Sequence, residues 1–108
     1  MPRTLPQPTI DSITMTTVLA ALADPVRRSL MREIYLNTGP IDCAMAADAV
    51  EVSAPTVSHH WRVLREAGLT TTVVVGRKRT ISIREEDLET RFPGLLKSIL
   101  TPDSDLPT

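Results

Sequence analysis

The segment Ser53-Ala-Pro-Thr-Val-Ser-His-His-Trp-Arg-Val-Leu-Arg-Glu-Ala-Gly-Leu69 is the point from which the architecture of this chain can be worked out. Ser53 is a residue that caps helices, and Pro55 suits a first turn, where its missing N–H would have no intrahelical partner anyway. Val57, Trp61 and Leu64 recur at helical spacing, so one face is apolar and packs inward. The other face carries Thr56, Ser58, His59, Arg62 and Arg65, and Gly68 is placed to end the helix. The predicted helix covers residues 54–67. Small polar residues near its start and arginines further along suit insertion into the major groove of DNA.

Upstream, Asp42 can cap a short third helix over residues 43–50, and Glu51-Val-Ser53 is a tight turn. Helix, tight turn, helix at this spacing is a helix-turn-helix unit. Before it, Asp24-Pro25 signals a second helix carrying Val26, Leu30 and Ile34 at steps of four, with Arg27, Arg28 and Arg32 expected largely outside. A first helix is marked by Ile13, Met15, Val18, Leu19 and Leu22. Residues 1–10 read as an extended arm, since the first eight contain three prolines and no periodicity. Downstream, the β-branched runs 70–75 and 80–84, joined by Gly76-Arg-Lys-Arg79, read as a β-hairpin with a basic tip. A further helix opens at Glu85 with acids in its first turn, where the helix dipole favours them. Phe92-Pro-Gly94 interrupts it, Leu95-Leu-Lys-Ser-Ile-Leu100 forms a last apolar turn or two, and residues 101–108 are a polar tail. The main domain is thus residues 11–100.

Two stretches resemble a known family. Thr56-Val-Ser-His-His60 followed by Val63-Leu-Arg-Glu-Ala-Gly-Leu69 is similar to the recognition helix of the ArsR-type winged-helix transcriptional repressors. Leu22-Ala-Asp-Pro-Val-Arg-Arg28 is similar to the opening of that family's second helix. The resemblance covers roughly residues 15–92. It implies a mainly α, winged helix-turn-helix fold with a small β-hairpin, the wing, lying beside the recognition helix. It further implies a homodimer through the first and last helices, bound to double-stranded operator DNA. The residues agree with such an interface: Met15, Leu19, Leu22, Phe92, Leu95, Leu96, Ile99 and Leu100 exceed what one small core is expected to use.

Bulk properties set the frame. A chain of 108 residues fits one domain with a modest core, and with one tyrosine, one tryptophan and one phenylalanine that core must be mainly aliphatic. No apolar run approaches the length of a membrane span, the first residues lack a signal-peptide pattern, and a single cysteine fits a reducing, cytoplasmic setting. The net charge of −1 conceals an asymmetry. Residues 53–84 hold six Lys/Arg against one acid, for +5, while residues 1–52 and 85–108 carry −2 and −4. Screening limits each charge to its surroundings, so a basic middle can attract phosphate whatever the total.

The residues expected to touch base edges are Thr56, Ser58, His59 and Arg62, with Ala54 and Pro55 placed to meet a thymine methyl. Arg62 is the expected guanine reader, because its planar fork donates twice. His60 and Arg65 are expected to bind phosphate or to pack. Arg77, Lys78 and Arg79 should hold phosphate or enter a minor groove. Trp61 reads as core rather than a stacking platform, and His59 and His60, about 100° apart on a helix, do not make a metal site.

The family's transition-metal sites do not carry over: the positions of its third-helix Cys-x-Cys pair hold Asp42 and Ala44, and residues 85–100 offer Glu86, Asp87 and Glu89 without a histidine. No metal and no cofactor is expected. Cys43 is a small packed residue or, alternatively, a redox trigger. No enzyme motif is found. The expected activity is that of a DNA-binding repressor released by an unidentified effector; the alternatives are a thiol-based redox sensor acting through Cys43 and a winged-helix protein-interaction module.

Overall fold

Asp24 starts the first long helix of the domain as its sequence suggests: one carboxylate oxygen accepts from the backbone N–H of Val26 at 2.8 Å and of Arg27 at 3.2 Å. In the computed structural model, which describes residues 1–37, 39–48 and 50–101, this helix, α2, runs over Pro25–Asn37. It is preceded by α1 (Met15–Leu22), capped by the Thr14 side chain. A strand β1 (Arg3–Thr4) and a 3-10 turn (Ile10–Ser12) come before α1. Next come β2 (Ile41–Asp42), α3 (Cys43–Ala47) and α4 (Ala54–Glu66). The strands β3 (Thr70–Val75) and β4 (Lys78–Ile83) follow, and α5 (Glu85–Arg91) and α6 (Leu95–Leu100) close the described chain. Of the sequence-predicted tail at 101–108, residues 102–108 lie outside the described residues.

The core is aliphatic around Trp61. Val18 and Leu22 of α1, Leu30, Met31 and Ile34 of α2, Val57, Trp61 and Leu64 of α4, Leu69, Ile81, Leu88, Leu96 and Leu100 are all buried in one cluster. Helix α4 ends in a Schellman motif, with Leu69 N–H donating to the Leu64 carbonyl at 3.0 Å and Gly68 N–H to that of Arg65 at 3.1 Å. Gly68 has φ +89°, and a Cβ there would lie 2.6 Å from Cγ1 of the buried Ile13. Backbone conformation and packing therefore both demand glycine at this stop.

Three features depart from the sequence expectations. The arm is not a free extension: β1 pairs antiparallel with β3, so the sheet has four strands in the order β1-β3-β4-β2. The third helix is shorter than residues 43–50, and Val50 and Val52 pack against the core from the turn that follows. The hairpin turn is only Gly76-Arg77, because Val75 pairs with Lys78; Lys78 and Arg79 belong to β4. Gly76 takes φ +60°, which a two-residue hairpin turn requires and glycine adopts without strain.

The arginines of α2 also differ from expectation. A helix leaves its last carbonyls without intrahelical partners, and α1 ends immediately before α2 begins. Arg27 Nε donates to the Ala21 carbonyl at 2.6 Å, and Arg28 Nη1 to the Leu22 carbonyl at 2.7 Å. These side chains are part-buried, and they bind the end of α1 to α2 instead of projecting freely into solvent.

Candidate nucleic-acid interface

The Ser53 hydroxyl accepts from Thr56 N–H at 3.4 Å and shares a hydrogen bond with the Thr56 hydroxyl at 2.8 Å. This cap fixes the first turn of α4, from which Ala54, Pro55, Thr56, Ser58 and His59 all face solvent. Arg62, one turn on, is exposed and lies 3.4 Å from the His59 ring, Nη2 to Nδ1. Between this face and the sheet runs an open groove lined by Leu5, Pro55, Ser58, His59, Arg62, Arg65 and Arg79. No carboxylate is among these lining residues. A concave, cation-lined strip beside a helix concentrates polyanions through its local field.

The structure sorts the other sequence-predicted residues. His60 is turned inward, 8% exposed, with Nδ1 3.2 Å from Arg27 Nη1. It takes the packing role and leaves the outer face. Arg65 is half-buried on the groove wall. Trp61 is buried in the core. Arg77, Lys78 and Arg79 are exposed on the hairpin, and Lys78 Nζ comes within 4.0 Å of Asp42. Asp42 also accepts from Ala44 N–H at 2.8 Å, capping α3.

Arg84, counted with the basic segment in the sequence, does not contribute to its surface. It is 9% exposed, and Nε and Nη2 grip Asp87 Oδ2 at 3.1 and 3.0 Å while Nη1 donates to the Pro8 carbonyl at 2.6 Å. The cationic surface is therefore Arg62, Arg65 and the hairpin.

The neighbouring titratable groups follow from burial and partners. Burial alone would raise the Asp24 carboxyl, but the N–H groups of Arg27 and Val26 and the nearby guanidinium outweigh it, and its pKa falls below the ordinary value. Burial, aided by the charge of Asp42, raises the Cys43 thiol, with only partial compensation from Arg79. A raised pKa favours the thiol over the reactive thiolate.

The terminal helices present a second, apolar surface. Met15 and Leu19 of α1 are 41% and 45% exposed. A groove beside them is lined by Met15, Arg91, Phe92, Pro93, Gly94, Leu95 and Ser98. Phe92, Leu95 and Ile99 are partly buried against the core. Leu22, Leu96 and Leu100 correct the sequence expectation: at 3%, 3% and 0% exposure they belong to the core of the single chain. Leucines at helical spacing do not reveal which of two apolar neighbours they meet, and the fold consumes these three.

A four-stranded antiparallel sheet flanking a capped, polar-faced helix in a helix-turn-helix unit defines a winged helix-turn-helix protein. A helix-turn-helix domain family matches residues 22–73. The uncharacterized HTH-type transcriptional regulator YceK of Bacillus subtilis (strain 168) is 32% identical over 82 residues, 76% of this chain and 82% of that protein. The transcriptional repressor SdpR of the same organism is 27% identical over 92 residues, 85% of this chain and all (100%) of that protein. Among solved structures, an ArsR family transcriptional regulator superposes with a TM-score of 0.64 at 26% identity, covering 77% of this chain and 84% of that one. A possible transcriptional regulator for arsenical resistance superposes with a TM-score of 0.62 at 27% identity, covering 85% and 92%. The chain belongs to the ArsR-type winged helix-turn-helix transcriptional regulators, a family of DNA-binding proteins and not of enzymes. No helix among the described residues is long and apolar enough to cross a membrane.

Proposed function

We propose that the protein is a cytoplasmic repressor that binds a palindromic operator as a homodimer and leaves it on receipt of a signal. The observation that carries this reading is the carboxylate-free groove between α4 and the wing, walled by Arg62, Arg65 and Arg79. In this reading Thr56, Ser58, His59 and Arg62 reach base edges, Ala54 and Pro55 meet the thymine methyl, and Arg77, Lys78 and Arg79 hold phosphate. The apolar patch of Met15 and Leu19, continued by Phe92, Leu95 and Ile99, is the self-complementary surface of a two-fold dimer. Repression as the sign of regulation is supported by the relative named a transcriptional repressor. A redox trigger at Cys43 is disfavoured by the upward shift of its thiol.

Selection from a random duplex library with the purified protein tests this reading. The expected product is an inverted repeat whose half-sites lie about one helical turn, roughly 34–36 Å, apart. Leu19→Glu should yield a monomer in sedimentation and weaken operator binding. A wild type that selects no sequence, or a monomeric wild type that binds its operator tightly, overturns it.

A further inference from the structure

Strand β1 places a cation where the sequence shows only a proline-rich arm. Arg3 pairs with Val74 of β3, and Val74 pairs in turn with Arg79 of β4. Directly paired residues of adjacent strands share a face. Arg3, Val74 and Arg79 therefore form one row across three strands, and Arg79 lines the α4 groove. With strands about 4.8 Å apart, Arg3 stands roughly 10 Å from Arg79 along that row. Leu5, two residues on, returns to the same face, donates its N–H to the Thr72 carbonyl at 2.9 Å, and is itself a groove-lining residue. Thr4 pairs with Val73, whose other neighbour is Thr80, and so occupies the opposite face.

The arm is held at its base. Arg84 donates to the Pro8 carbonyl at 2.6 Å, and Arg91 to that of Ile10, also at 2.6 Å. Ile13 is buried beneath Gly68. A segment fixed in this way presents Arg3 with little conformational entropy left to lose on binding. Arg3 is itself exposed. An exposed guanidinium on the groove face, in register with Arg79, extends the cationic strip by one strand beyond the hairpin.

We propose that β1 is part of the DNA-binding surface and that Arg3 binds the phosphate backbone of a duplex seated against α4 and the wing, with Leu5 forming the floor beneath it. This rests on the DNA-binding reading above.

The test needs no operator, because phosphate contacts are independent of sequence. Binding of a labelled random-sequence duplex of about 30 base pairs is followed by fluorescence anisotropy across a KCl series of roughly 50–200 mM. Arg3→Ala should weaken binding on the order of fivefold per protomer engaged and make the log-affinity versus log-salt slope shallower by about one. Arg3→Lys should keep most of the affinity, and Thr4→Ala, on the other face of the same strand, should leave both quantities unchanged. If Thr4→Ala weakens binding as much as Arg3→Ala, the strand acts as scaffold and the proposal is overturned. It is equally overturned if Arg3→Ala changes neither affinity nor slope while Arg79→Ala, in the same cross-strand row, lowers both, a result that leaves the DNA-binding reading standing. Failure of the wild type to bind any duplex removes both readings together.

Discussion

Two sets of arginines behave in opposite ways in this small protein. Arg62, Arg77 and Arg79 reach solvent around the α4 groove and the wing. Arg27, Arg28, Arg84 and Arg91 spend their donors on backbone carbonyls of other segments. The residue type is the same; the difference is whether an unpaired carbonyl lies within reach. Arg27 and Arg28 stand next to the end of α1, and Arg84 and Arg91 next to a proline-rich arm that forms few backbone bonds of its own. Guanidinium groups satisfy such acceptors well, because their fork serves several at once. Local charge counts therefore overstate a binding surface whenever loose chain ends lie nearby.

The strongest way to break this contrast is Arg84→Ala. It leaves the Asp87 carboxylate and the Pro8 carbonyl without their donor, and since the Asp87 side chain retains 38% exposure, water recovers part of the loss. The expected cost is about 2–3 kcal/mol of stability, read as a lower urea midpoint, below the ~3–5 kcal/mol typical of a fully buried pair. Arg84→Lys should recover only part, since a point charge cannot replace the fork. A midpoint within error of wild type would show that Arg84 belongs with the surface set.

Arg62→Ala is the opposite experiment. It should leave the melting temperature unchanged, cost about 1–3 kcal/mol on the selected operator and relax preference at one base pair per half-site. Lys78→Ala should instead weaken operator and scrambled duplex alike. Anisotropy titrations on both duplexes separate these outcomes, and an Arg62→Ala variant with an unchanged specificity ratio would move base reading elsewhere on α4.

How much of this was legible in the sequence depends on how local each cause is. Helix α4 is governed within its own length by Ser53, Pro55, the Val57–Trp61–Leu64 spacing and Gly68, and the structure reproduces the expected 54–67 within a residue. The hairpin is local too, but its basic residues blurred the strand start, because exposed strand positions accept Lys78 and Arg79. The pairing of Arg3 with Val74 spans most of the chain and leaves no periodic trace in a two-residue strand near prolines. The same holds for Arg84 and Pro8. Leu22, Leu96 and Leu100 read as interface in the sequence and are core in the fold for a related reason: apolar spacing identifies a buried face without saying which neighbour buries it. Only the fold separates the outward residues Met15 and Leu19 from these three.

Arg27→Met sharpens the contrast from the structural side with a smaller effect. The stem is kept, but the Ala21 carbonyl loses its donor and His60 loses its contact across to α2. A cost of about 1–2 kcal/mol is expected, with a changed environment for Trp61, which neighbours His60 in α4. Tryptophan emission, from the single Trp61, measures both.

The smallest effect separates His59 from His60, adjacent residues of α4 of which the first is exposed and the second buried. Burial lowers the His60 pKa, and the cations of Arg27 and His59 lower it further; Asp24 opposes them, and the net shift is downward from the ordinary 6.5. A depressed pKa means that the folded protein resists a proton that the unfolded chain accepts. Stability from this site is thus fully present above about pH 6.5 and declines as pH falls through and below that value. Asp24, held below its ordinary 3.8, loses its contribution only at more acidic pH, which leaves the histidine window clear. Urea midpoints measured between about pH 7.5 and 5 should fall for wild type, and His60→Gln should flatten that decline. His59→Gln, which removes only the smallest of the influences on His60, should keep most of it. If the two glutamine variants share the wild-type profile, the inward histidine is not the titrating group.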